Sequence, residues 1–309
     1  MLSKRQHHPN LHHWRAGAEA LERLCGKRLY VCPLCLRGFR EDQAVEELSR
    51  EHVPPEKLDG RRMFLTCKEK CNSEAGSQLD HHAITEERAR QFGANQNYGR
   101  LPVNLSFAGL QIAAEVRKDG STNIISVPSP NNRTDNRWKT IEEMAAAAHM
   151  WGVGSEFQIR LRKRHIPRRS EISWLRSAYL LTFAWLGYRY VCRDVLDTVR
   201  AQIREPTTPY LGTFCVYNRA ADARRIIAIH EPQWLKGIGV SAHGRIVLLP
   251  LLDEDHGFYE RLAVSVGDGL RIRGRTLGWP ERAMYYLDHT KSAELRSFVS
   301  FWNHPEPGT

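Results

Sequence analysis

Tyr30-Val31-Cys32-Pro33-Leu34-Cys35 is followed, after the 31 residues between Cys35 and Cys67, by Cys67-Lys68-Glu69-Lys70-Cys71-Asn72. Each stretch holds two thiols close along the chain, and two such pairs suit a closed tetrahedral zinc site of four cysteines. The first pair has the usual two-residue spacer. The second has three, which lets two sulfurs converge if the segment turns helically. In a reducing compartment, paired cysteines point to metal rather than disulfides. Four thiolates leave no ligand position for water, so this zinc is expected to be structural. Cys25, Cys192 and Cys215 are scattered and read as core residues.

Working outward, Tyr30-Val31 reads as a short strand entering the first cysteine knuckle, with a helix over Ala16–Leu24 before it. The first 14 residues carry His7, His8, His12 and His13 and read as a solvated tail. Glu41–Arg50 reads as a helix or an irregular acidic approach to Arg50-Glu51-His52-Val53-Pro54-Pro55, where the prolines end the strand carrying Glu51 and His52. Asp59-Gly60 is a turn signal, Met63–Thr66 a second short strand, and Asn72 a suitable N-cap for a following helix. The local order is strand, turn, strand, helix, with a cysteine pair at each end.

Chemistry is expected from Glu51, His52 and Asn72, which bring a carboxylate, an imidazole and an amide oxygen. Oxygen ligands suit Mg²⁺ or Mn²⁺, and an imidazole titrating at about pH 6.5 suits a general base. Phosphodiester hydrolysis needs both: a water that loses its proton as it attacks, and a cation to offset charge on the phosphate and leaving oxygen.

The run from Tyr30 to Asp80 resembles the zinc-containing branch of the HNH endonuclease family, with its ββα-metal fold. Tyr30–Cys35 is similar to that family's first knuckle, and Arg50–Pro55 to its signature first strand. Leu65–Ser77 is similar to its second knuckle and the start of its metal-site helix. The resemblance puts Glu51 and Asn72 on the catalytic metal-ligand positions and His52 on the general-base position. Cys32, Cys35, Cys67 and Cys71 fall on the zinc ligands. Two departures stand out. The family's middle Asn, which orients the base, has no counterpart here, since that neighbourhood reads Arg61-Arg62-Met63, and the second cysteine spacer is three residues rather than two. Asp80-His81-His82, just downstream, reads as a polar helix end or as an additional metal ligand.

The 309 residues exceed one typical domain, and the formal charge is +10 from 45 Lys/Arg and 35 Asp/Glu. Residues 1–92 hold 16 and 14 of these, leaving 29 and 21 beyond, so the excess positive charge lies mostly outside the cysteine module. That distribution suits a nucleic-acid partner or an ordinary solvated surface. No apolar run reaches membrane-span length, and the N-terminus has no apolar signal region, so a cytoplasmic location is expected.

Phe92–Pro102 reads as a linker. Beyond it, Leu105–Val116 and Asn123–Val127 flank the hairpin turn Lys118–Ser121. Pro128–Asn136 reads as a loop, Thr140–Met150 as a helix, and Glu156–Arg164 as a strand with Arg160, Arg162 and Arg164 on one face. That row of guanidinium groups suits a phosphate backbone or a solvated sheet face. Glu171–Val191, apolar nearly all round, is expected to be the central helix of a second domain, with Trp174, Tyr179, Phe183, Trp185 and Tyr188 as core. A helix over Arg193–Arg204 and strands near Thr213–Tyr217, Arg225–Ile229 and Arg245–Leu249 complete that half. Asp253–His256 reads as a polar turn.

The expected fold is α+β: a small zinc-stapled ββα-metal domain over 1–92, then a larger basic α+β domain over 93–309 that positions nucleic acid or regulates the first. The expected function is a Mg²⁺- or Mn²⁺-dependent endonuclease with structural Zn²⁺ and a one-metal, His-general-base mechanism. Double-stranded DNA is the foremost partner, a regulatory protein or a second copy of the chain are further candidates, and no membrane is involved. By family analogy alone, phage defence or mobile DNA is the expected setting. The competing reading is a catalytically inactive, zinc-stabilised nucleic-acid-binding or adaptor protein.

Overall fold

The computed structural model describes residues 8–107, 110–126, 158–162, 165–218, 223–251, 257–267 and 269–280. The chain is α+β and divides into two compact units, one of residues 1–80 and 171–309 and one of residues 81–170.

The first unit opens with helix α1 (Pro9–Cys25), so the solvated tail expected through residue 14 ends at Pro9. Proline at the first helical position needs no N–H partner, and Gly26, at φ 74°, closes the helix by donating to Glu22 O. Leu11, Trp14, Ala18 and Leu21 line its buried face at helical spacing. Strands β1 (Tyr30–Val31) and β2 (Gly38–Phe39) pair around the first knuckle. Turns over residues 41–47 lead into β3 (Leu48–Val53), which pairs antiparallel with β4 (Arg61–Cys67). Between them Asp59 adopts φ 59°, and a Cβ at Gly60 would lie 1.5 Å from Pro54 O, so only glycine closes this hairpin.

After β4 the chain makes two wide π-helical turns, Lys68–Ser73 and Gly76–Asp80. Asn72 lies inside the first of these, not at a helix N-cap.

The unit resumes at Glu171, within helix α3 (Pro167–Leu186), which continues past Gly187 into α4 (Tyr188–Val191). Gly187 has φ 64° and ψ −152°, a conformation essentially reserved for glycine, and it turns Tyr188 back toward the knuckle. Trp174, Tyr179, Phe183, Trp185 and Tyr188 are buried as expected, but the helix serves the N-terminal module. Phe183 packs edge-on against Phe64, with ring centres 5.3 Å apart. Tyr179 Oη donates to Pro33 O at 2.7 Å, and Tyr188 Oη bonds both Val31 N and Val31 O at 3.1 Å. The physical reason is core size: a short zinc hairpin has too few apolar residues to bury itself, and an all-round apolar helix supplies the missing surface. The division by compactness therefore falls at 80/81 and 170/171, away from the expected 92/93 boundary.

Helix α5 (Asp197–Arg204) follows, then the five-stranded antiparallel sheet β13-β10-β11-β12-β9, built from β9 (Cys215–Tyr217), β10 (Arg225–Glu231), β11 (Gly237–Ala242), β12 (Arg245–Pro250) and β13 (Arg273–Leu277), with helix α6 (Phe258–Gly267) between β12 and β13. No helix among the described residues is long and apolar enough to cross a membrane.

The second unit combines helix α2 (His81–Gly93) with a four-stranded antiparallel sheet in the order β7-β6-β5-β8. Its strands are β5 (Arg100–Phe107), β6 (Leu110–Asp119), β7 (Thr122–Ser126) and β8 (Gln158–Leu161). Tyr98, Leu101, Val103, Leu105, Ala114 and Val116 form its core, with Phe92 and Leu161 against it. The expected linker thus contributes Tyr98 to a core, and Leu105–Val116 belongs to two strands rather than one. The expected loop over 128–136, helix over 140–150 and turn over 253–256 lie outside the described residues.

Candidate functional site

The four knuckle cysteines converge. The sulfurs of Cys32, Cys35, Cys67 and Cys71 all lie within 4.8 Å of one another, and Cys35 and Cys67 approach to 3.3 Å. Tetrahedral zinc with bonds of about 2.3 Å sets sulfurs roughly 3.8 Å apart, so this cluster can hold one zinc ion. The three-residue spacer fits because Cys71 sits in the wide turn after Cys67. Thiols this close cannot all ionise by themselves. Hydrogen bonds from Cys32, Cys67 and Cys71 push Cys35 well below its ordinary range, while those involving Cys32, Cys35 and Cys67 push Cys71 well above it. A divalent cation would displace the shared protons.

Beside this cluster, β3 and β4 carry the expected catalytic residues. Their register slips between Glu51 and His52: Glu51 pairs with Phe64 but His52 with Arg62, leaving Met63 as an extra residue on β4. A bulge sharpens local twist and changes the strict alternation of neighbouring side chains. The extra residue lies on β4, where Met63 and Phe64 are both buried, and it brings Arg62 rather than Met63 opposite His52.

Glu51 is buried. Its Oε2 accepts from Thr66 Oγ1 at 3.0 Å and from Arg176 Nη2 at 2.7 Å, and among the described residues nothing bonds its Oε1. The same Arg176 nitrogen donates to Cys71 O at 2.9 Å. Burial by itself would lower the Arg176 pKa, but the charges of Glu51 and Asp80 outweigh it and raise it. Asp80 in turn accepts from Ser173 Oγ at 2.9 Å.

His52, half-buried, accepts at Nε2 from Arg62 Nε at 3.0 Å. A guanidinium can only donate, so Nε2 presents its lone pair. Arg62 thus occupies the neighbourhood where a middle Asn was missing from the sequence. Asn72 donates from Nδ2 to Ser49 Oγ at 2.7 Å, with Arg50 O at 3.5 Å. A carbonyl accepts only, so the amide nitrogen must face Arg50 and Oδ1 points the other way. The amide therefore lies against β3, one residue before Glu51.

Of the downstream trio, Asp80 serves Arg176 and Ser173 as described. His82 is buried and accepts at Nδ1 from Ile166 N at 3.2 Å, which leaves the proton on Nε2 and no lone pair there for a metal. Burial first, then the charges of His81, Arg169 and His165, push its pKa down to about 4.

On the second unit, Arg160 is exposed on edge strand β8 and Arg162 just beyond it, while Arg164 lies outside the described residues. Arg160 pairs with Asn104 in β5, whose outward face continues to Arg100, and Arg100 pairs directly with Arg117 of β6. Alternation places all four exposed arginines on the face opposite the core, with Glu115 among them. Two like charges directly opposite are unfavourable by themselves.

Arg176, Thr66, Arg62, Arg100 and Arg117 were not singled out from the sequence. Arg176 alone had a signal, a charge on a helix otherwise apolar all round, where it must be paired. No protein-family model, characterised protein or solved structure matches the chain.

Proposed function

We propose that the chain is a metal-dependent endonuclease of the HNH kind. The observation that carries this reading is the β3–β4 hairpin: it is bulged between Glu51 and His52, stapled at one end by four converging thiols, and leaves Glu51 Oε1 and Asn72 Oδ1 without a described partner. These two oxygens would hold Mg²⁺ or Mn²⁺, whose charge would offset that on the phosphate and leaving oxygen. His52 takes the proton of the attacking water through the lone pair on Nε2. Arg62, exposed, gives up that lone pair by turning onto the substrate phosphate. The outward arginines of the four-stranded sheet bind the backbone of nucleic acid, double-stranded DNA first. Zinc on the four cysteines fixes the hairpin.

A second reading has its own support. Arg176 already pairs with Glu51, and Arg62 with His52, as they would in a nucleic-acid-binding protein on an inactive scaffold. Plasmid nicking in Mg²⁺ or Mn²⁺ separates the two. The nuclease reading expects metal-dependent cleavage by the wild-type chain and a loss of at least ~10²-fold in His52→Ala, the scale for removing a general base. DNA binding without cleavage in either metal would establish the second reading instead.

A further inference from the structure

Arg176 sits 125 positions along the chain from Glu51 yet forms the buried end of its site. The two side chains are 2% and 4% exposed. A carboxylate this buried demands a partner, and Arg176 with Thr66 saturates one oxygen only, leaving the other free to take a ligand. The same guanidinium holds the carbonyl of Cys71, a residue of the thiol cluster. One nitrogen, Nη2, held in the guanidinium plane, therefore fixes the candidate metal ligand relative to the zinc knuckle and to α3. A lysine ammonium, a point donor on a flexible stem, lacks the rigid plane that sets the direction of that nitrogen. Among the described residues Arg176 Nε is buried without an acceptor, so the guanidinium is aimed at Glu51 and Cys71 at the expense of its own full satisfaction.

We infer that Arg176 is a positioning residue for the divalent cation at Glu51: it clamps Oε2 so that Oε1 is presented to the metal, and the site is incomplete without helix α3. This rests on the nuclease reading, in which Glu51 is a metal ligand.

The test is direct Mn²⁺ binding to the zinc-loaded full chain, followed by electron paramagnetic resonance of the free ion, so that no cleavage need be measured. The wild type is expected to bind one Mn²⁺ that Glu51→Gln loses. Arg176→Lys and Arg176→Met are expected to weaken that binding by about tenfold to a hundredfold, the scale for residues that orient a metal ligand. Zinc content and circular dichroism are expected to match wild type in the lysine variant. Should Arg176→Met fail to retain zinc, Arg176→Lys decides alone. Unchanged Mn²⁺ affinity in the folded variants would reduce Arg176 to a structural ion pair, and tighter binding would make it a competitor of the metal. Either overturns the inference while leaving Glu51 a ligand. A wild type that binds no Mn²⁺ would instead remove the metal-site reading beneath it.

Discussion

Tyr188→Phe tests whether the cysteine knuckle depends on the helix far along the chain. The ring, edge-on to Phe183 at 5.3 Å, is retained, so the substitution removes one oxygen and little else. That oxygen accepts from Val31 N and donates to Val31 O, both at 3.1 Å, one residue before Cys32. Each bond is worth about 1 kcal/mol net, and the backbone groups left behind add a desolvation cost where water does not reach them. Val31 is only half-buried, so water recovers part of the loss, and a total of about 2 kcal/mol follows. For a unit of this size that lowers the unfolding midpoint by roughly 4–8 °C. If zinc leaves through local opening of the knuckle, the same energy speeds its capture by a chromogenic chelator roughly 30-fold, at tenfold per ~1.4 kcal/mol. Tyr210→Phe is the control, because that hydroxyl bonds the exposed Glu205 and is expected to change stability by less than ~0.5 kcal/mol. If Tyr188→Phe releases zinc at the wild-type rate with an unshifted midpoint, the knuckle stands without α4, and the account of how this small module is stabilised is wrong.

Other consequences can be measured separately. Asn72→His puts nitrogen where Oδ1 is free, so activity with Ni²⁺ or Co²⁺ should rise relative to Mg²⁺, while Asn72→Ala should lower activity with every metal. A cation titration of plasmid cleavage decides it, and an unchanged ranking together with a fully active alanine variant would make Asn72 only a brace for β3. Replacing Arg100, Arg117, Arg160 and Arg162 by Gln should flatten the salt dependence of DNA binding by about 3–4 in log–log slope, since each phosphate that an arginine neutralises adds about 0.9. An unaltered slope would return that face to solvated surface. His82 stays neutral when folded until about pH 4 but protonates near its ordinary value when unfolded. The unfolded state therefore gains a proton first as pH falls, and stability should decline from about pH 6.5 to about pH 4 and level below. His82→Phe should lose that component in urea titrations across the range; an identical pH slope would place the acid sensitivity elsewhere.

The local features of the site were legible in the sequence because each is written in a few neighbouring residues. Cys32–Cys35 and Cys67–Cys71 announce their convergence by spacing, and Asp59-Gly60 announces its turn because glycine alone fits against Pro54 O. The alternation of Arg160 and Arg162 follows from strand period. What was not legible depends on distant partners. Nothing near Glu51 says that Arg176 will hold it, and nothing near Val31 says that Tyr188 will, since the pairing depends on Gly187 turning the chain between α3 and α4. The division by compactness departs from the composition for that reason: the Gly-, Asn- and Gln-rich stretch after Phe92 looks like a linker, yet Tyr98 within it is core, and the apolar helix packs on the cysteine module. Asn72 was misplaced at an N-cap because its residue type fits one, whereas the chain enters a wide turn four residues earlier, at Lys68. The orienting partner of His52 was sought as an asparagine, and the bulge at Met63 brought Arg62 opposite it instead.

Whether Glu51, Asn72 and His52 form one metal-dependent hydrolytic site is tested most directly by crystals of the zinc-loaded full chain soaked in Mn²⁺, with anomalous scattering recorded on either side of the manganese edge. The expected result is one manganese bound by Glu51 Oε1 and Asn72 Oδ1, with the His52 ring facing the same space and zinc separately on the four cysteines. Manganese bound elsewhere, or none near Glu51 at millimolar concentration with Oε2 still paired to Arg176, would contradict it.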